Sequence, residues 1–140
     1  MQDFRNLEVW NKAHKLTLDI YRLTESFPRA EVFGLSIQLR RAAASIATNL
    51  AEGCGRAQVE FGRFLQIAVG SACEVEYQLL LSRDLGLIRA EQYDALVANV
   101  LEVKRMLNGL LKRVSAMGDR SRQPQWHWSK SLLSRRLAHN

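Results

Sequence analysis

Arginine is the residue type with the most chemistry to offer in this chain. Of its 20 basic side chains 15 are arginine, set against 14 carboxylates, for a formal net charge of +6 over 140 residues. A guanidinium is planar, always charged, donates two parallel hydrogen bonds to a phosphate and stacks on bases. The expected phosphate contacts in the body of the chain are Arg40, Arg41, Arg56 and Arg63. Nearer the C-terminus they are Arg120, Arg122, Lys130, Arg135 and Arg136, with Trp126 and Trp128 close enough in sequence to add base stacking. No helix-turn-helix, zinc-finger or RNP pattern accompanies them, so the chemistry implied is binding of RNA or DNA without sequence specificity.

Other chemistries lack their residues. Ser36, Ser45 and Ser71 fall in helical patterns, with neither a G-x-S-x-G turn nor a partnered histidine. Glu74 and Glu76 fall on different faces of a helix and do not make an acid–base pair. Gly53-x-Gly55-Arg56 has glycines but neither the spacing nor the Lys-Ser/Thr of a P-loop. As the opening of a helix that turn could offer backbone N–H groups and Arg56 to an anion, but its leading reading is a simple interhelical connection. His14, His127 and His139 are scattered, so no metal site is expected, and neither a cofactor nor a catalytic residue is assigned. Cys54 and Cys73 stand 19 positions apart, and the roughly 16 helical residues between them span about 24 Å at 1.5 Å per residue. A disulfide needs Cα atoms within about 7 Å, so both read as reduced thiols, as in the cytoplasm.

The elements that must position these residues are helices. With 47% hydrophobic residues, 8 glycines and 2 prolines, the composition is that of an ordinary globular chain. Neither a membrane span nor a signal peptide is visible, and a cytoplasmic protein is expected. Four stretches repeat apolar residues every three or four positions and none alternates like a strand. The first, Leu7 to Glu25, lines up Val9, Ala13, Leu16, Ile20 and Leu23 and ends before Pro28. The second, Val32 to Glu52, carries Leu35, Leu39, Ala42, Ala43, Ile46 and Leu50. The third, Ala57 to Leu85, carries Phe61, Phe64, Leu65, Ala68, Ala72, Val75 and Leu79, with no good N-cap residue. The fourth, Ala90 to Ala116, carries Leu96, Val100, Val103, Leu107 and Leu111, with Lys104 at the stripe's edge expected to snorkel and Gly118 as its stop. Between the second and third, Gly53-Cys54-Gly55 is expected to break the chain with φ > 0. Short connections between long helices predict antiparallel neighbours: an all-α, up-down-up-down four-helix bundle over residues 1–117.

Residues 118–140 form a basic, tryptophan-containing extension, five cations against Asp119, so four units of the +6 belong to it. The second helix has a further lane, Ala44, Ala47 and Ala51, and the third has an outward lane with Tyr77 and Leu81 beside Gly70. Both lanes ask for a neighbour, which a second copy of the chain would supply.

Three motifs resemble one known family. They are Phe4-Arg-Asn-Leu-Glu-Val-Trp10 with Ala13; Gln38-Leu-Arg-Arg-Ala-Ala43 leading to Asn49-Leu-Ala-Glu-Gly53 and Gly55-Arg56; and Arg63-Phe-Leu65 with Ala68 and Gly70-Ser71. With Phe27-Pro28 and Gly34-Leu35 they are similar, in order, to the four-helix-bundle family of 23S rRNA intervening-sequence proteins. That family is related to the accessory variability protein of diversity-generating retroelements. The resemblance implies a small bacterial cytosolic protein, a ring-shaped homopentamer and no catalytic residues. For the retroelement relatives it implies nucleic-acid binding through a positive surface, and binding to a reverse transcriptase. Ala47 and Cys54 depart from the family's usual residues, and the tryptophan-bearing extension lies outside its motifs. The expectation is therefore a non-enzymatic, homo-oligomeric nucleic-acid-binding accessory protein. The alternative is a protein-interaction adaptor with no direct nucleic-acid role.

Overall fold

The computed structural model describes residues 3–31 and 34–121, with side chains to Met117. A 3-10 turn over Phe4–Asn6 leads into α1, Glu8–Thr24; a second, Arg29–Glu31, precedes α2, Leu35–Cys54. The chain then forms α3, Gln58–Asp84, and α4, Ala90–Ser121, and no strand occurs among the described residues. The helices pack as a square in which each touches only its sequence neighbours and α1 closes on α4. The α2–α3 pair is the most extensive contact and α1–α4 the least.

The apolar stripes explain this arrangement. Leu16 and Ile20 of α1, Leu39, Ile46 and Leu50 of α2, Leu65, Val75 and Leu79 of α3, and Val100, Val103 and Leu107 of α4 are all fully buried. Each such side chain contributes about 1.5–3 kcal/mol on leaving water, and together they form one continuous core. Polar contacts then set the register between helices. Along the α2–α3 seam the Ser45 and Ser71 hydroxyls share a 2.8 Å hydrogen bond, and Gln78 Nε2 donates to Gln38 Oε1 at 3.4 Å. Asn49 Nδ2 donates back to the Ser45 carbonyl at 2.7 Å.

Several local details differ from the sequence expectation. Gly53 does not break α2 by a positive φ: it is buried inside the helix, and a Cβ there would sit 2.7 Å from Phe61 and 3.0 Å from Phe64. The residue is small because α3 crosses tightly over the end of α2. Positive φ occurs instead at Gly86, at 75°. There Leu87 N–H donates to Ser82 O and Gly86 N–H to Arg83 O, both at 2.9 Å, closing α3 in a Schellman motif. The backbone of α4 runs through Gly118 to Ser121, so helix crosses the expected boundary at residue 117. Lys104 is not left to snorkel: its Nζ donates to Glu76 Oε2 at 2.7 Å, joining α4 to α3. As expected, Ala57 supplies no side-chain cap to α3.

Candidate nucleic-acid interface

The four arginines expected to touch phosphate in the body of the chain do not share one surface. Arg40 is half-buried between α1 and α2: its Nε donates to Thr24 Oγ1 at 2.8 Å and its Nη2 to the Tyr21 carbonyl at 3.3 Å. Its guanidinium also lies 4.6 Å from the centroid of the Tyr21 ring. With that many contacts inside the chain, Arg40 serves as a brace between helices. Arg41, its neighbour, points to solvent, with no ion pair among the described residues. At 1.5 Å rise it lies roughly 22 Å along the bundle from Arg56.

Arg56 and Arg63 do come together, at the α2–α3 turn. With Glu60, Phe64 and Ile67 they line an open cleft of about 290 Å³. Arg56 is held loosely: its Nη1 stands 3.9 Å from Glu60 Oε2 and its guanidinium 5.8 Å from the Phe64 ring, each near the outer limit of its kind. Arg63 is exposed and unpaired among the described residues. Ile67, 52% exposed, gives the cleft an apolar wall. The backbone of α3 presents its first N–H groups beside these side chains without a side-chain cap.

The same end of the bundle receives the last turns of α4. Val114 lies 3.6 Å from where a Cβ on Gly62, the residue before Arg63, would stand. The last described turns of α4 therefore lie at the end that carries Arg56 and Arg63. Side chains of Arg120, Arg122, Lys130, Arg135 and Arg136, with Trp126 and Trp128, lie outside the described residues. At the opposite end Glu25, Glu31, Asp84, Glu91 and Asp94 outnumber Arg29, Arg83 and Arg89, and Arg83 pairs with Asp84 at 3.2 Å. At the arginine end Asp3, Glu8, Glu52 and Glu60 stand against Arg5, Arg56, Arg63, Lys112 and Arg113, so the two ends differ modestly in charge.

Against known proteins, residues 5–109 match the pattern of the 23S rRNA-intervening sequence protein family. The chain belongs to that family. The match takes in α1, α2, α3 and most of α4, and with them the Arg56–Arg63 cleft; residues 110–140 fall beyond it. As a 23S rRNA-intervening sequence protein the chain has a solved structural relative. It is a protein with unknown function from the S23 ribosomal protein family of Bacteroides thetaiotaomicron VPI-5482. The two are 26% identical and superpose with a TM-score of 0.69, over 74% of this chain and 95% of the relative. No protein of curated function matches the chain.

The residues expected to meet a second copy occupy two separate surfaces of this bundle. Ala44, Ala47 and Ala51 are half-buried along α2, with Ala47 packed against the core. Tyr77, 62% exposed, stands on the outer face of α3; Leu81 is half-buried against the core and offers only an edge. A row of rings runs from the first 3-10 turn into α1, a feature not singled out from the sequence. Phe4 lies 4.8 Å from Trp10, and Trp10 stacks on His14 at 5.0 Å with planes 10° apart. The i, i+4 spacing of Trp10 and His14 is the signal that would have shown it.

Cys54 and Cys73 are both free thiols, and burial, with the nearby Asp3 carboxylate, pushes the Cys54 thiol above its ordinary pKa. Among the described residues no three His, Cys, Asp or Glu side chains cluster as metal ligands, and no helix is long and apolar enough to cross a membrane.

Proposed function

We propose that this protein is a non-enzymatic, homo-oligomeric nucleic-acid-binding accessory protein. The observation that carries the reading is the coincidence of three features at one end of the bundle. Arg63 is unpaired among the described residues, Arg56 is only loosely held, and the last described turns of α4, after which the sequence is basic, lie at the same end. Guanidinium groups without strong internal partners are the ones available to phosphate. Arg41 lies outside this cluster and adds a more distant contact. Assembly of like copies would repeat the positive end around an axis and concentrate the field that attracts a polyanion.

The oligomer rests on two surfaces that differ from each other. The alanine lane on α2 and the tyrosine on α3 stand on separate faces, so seating one against the other joins copies head to tail, a contact that can close into a ring. A pentamer, the cytoplasm and the service of a reverse transcriptase in a diversity-generating retroelement follow from the motif resemblance and complete the proposal.

The test is binding to RNA and to single-stranded DNA across a salt series. Affinity is expected to fall steeply with salt, because neutralised phosphates release counterions. Replacing Arg56 and Arg63 together by glutamine should flatten the log–log slope by about 1–2. A folded protein that binds neither polymer at low salt overturns the reading in favour of a protein-interaction adaptor.

A further inference from the structure

Glu60 is out of place in a site made only for phosphate. Its carboxylate lines the cleft between two arginines, more than half exposed, and its distance of 3.9 Å from Arg56 leaves its lone pairs available. Beside a phosphate it would repel. Beside a base it is an acceptor with two oxygens and no donor. The apolar wall of Phe64 and Ile67 supplies the surface on which a base rests, and 290 Å³ sits at the lower bound of small-ligand pockets, room for one nucleotide and not for a duplex.

We propose that this cleft receives a single unpaired guanine nucleotide of a bound strand. The proposal rests on the nucleic-acid reading above and goes further by naming the unit recognised. The ring lies on Phe64 and Ile67, the flanking phosphate meets Arg56 and Arg63, and Glu60 accepts from the guanine edge. Guanine alone presents two adjacent donors, N1–H and the N2 amino group, matching the two carboxylate oxygens. Adenine and cytosine place a ring-nitrogen acceptor beside their amino group, which a carboxylate repels, and uracil has one N–H between two carbonyls. A paired guanine has that edge occupied and its faces stacked, so the cleft selects unpaired strands.

The experiment uses the full chain and fluorescent oligouridylates of about eight nucleotides, a length in the range single-strand sites cover. One carries a single central guanosine, one a central adenosine and one neither, each also made as deoxyribonucleotides with thymidine for uridine. The guanosine strand should bind about tenfold tighter or more than the others in at least one sugar form, the discrimination a bidentate base contact gives. Glu60→Gln should abolish that preference while strengthening binding of the guanine-free strand, since it removes a repelling charge. Arg63→Gln should weaken all strands alike. Equal affinity of the wild type for all strands overturns the guanine site and leaves general binding standing. So does a Glu60→Gln variant that keeps the preference, in which case Glu60 acts only as an acidic residue in the first turn of α3. Failure of every strand to bind overturns the nucleic-acid reading itself.

Discussion

Gly53 shows how one absent side chain governs the placement of the cleft. It lies in the last turn of α2, buried, with Phe61 and Phe64 of α3 closing over it. A methyl group 2.7 Å from the Phe61 ring and 3.0 Å from Phe64 Cβ forces α3 away from α2, and the Phe64 backbone cannot yield as a flexible side chain would. Gly53→Ala is therefore expected to destabilise the bundle by about 1–3 kcal/mol, the usual penalty of overpacking, despite alanine's better helix propensity. Chemical denaturation measures it, and a neutral or stabilising result would show that the contact relaxes freely. Lys104 makes a second residue-scale case. Its hydrogen bond to Glu76 raises the ammonium pKa above its ordinary 10.5, outweighing the desolvation that opposes it. A raised folded-state value for a cation means its stabilisation is fully present below pH 10.5 and fades as pH climbs through the raised value. Lys104→Met should cost about 0.5–1 kcal/mol at neutral pH, with the gap to wild type narrowing in strong alkali. A gap that stays constant into alkali would deny the pair its part.

At the scale of elements the helices themselves were legible, because a 3.6-residue apolar period over 17 to 32 residues leaves little room for another structure. Val9, Ala13, Leu16, Ile20 and Leu23 face the core as their spacing requires. Helix ends were less legible. Gly118 carries no signal strong enough to stop α4, since one glycine costs a helix only about 1 kcal/mol, and the backbone continues to Ser121. Gly53 and Gly86 look alike in sequence, yet one is needed for close approach and the other for φ 75°. The distinction depends on what crosses nearby, which composition does not encode. The candidate site was legible only in part for the same reason. Arg40 and Arg41 are adjacent letters 100° apart on a helix, so one braces Tyr21 and Thr24 while the other faces solvent. Arg56 and Arg63 meet because the α2–α3 turn and about one and a half turns of α3 bring them to one face, and Glu60, Phe64 and Ile67 share that face at spacings of three and four along the helix. The bare N-terminus of α3 beside that cleft invites a test at this scale. Ala57→Ser adds an oxygen for an orphan N–H and should stabilise the bundle by about 0.5–1 kcal/mol in thermal or denaturant melts. No gain would mean that solvent already satisfies those groups.

The whole molecule carries its charge unevenly, and that sets what the basic extension does. Four of the six units of net charge belong to residues 118–140, and the described bundle is nearly balanced, with its cations loosely held at one end and its carboxylates in excess at the other. A balanced body attracts a polyanion weakly from a distance, yet its positive end orients one that arrives. In the proposed assembly the extension would supply net field and a ring of copies would repeat a local geometry. Ending the chain after Met117 separates them. The core residues from Val9 to Leu107 remain, so the truncated bundle should fold and melt cooperatively. Its mass by light scattering should stay the same multiple of one chain, five if the ring is a pentamer, because the α2 and α3 lanes are untouched. Its affinity for single strands should drop, with a salt slope reduced by several units, while the discrimination at the Arg56–Arg63 cleft survives. Loss of assembly on truncation would instead place the subunit contact in the extension and remove the alanine lane and Tyr77 from that role.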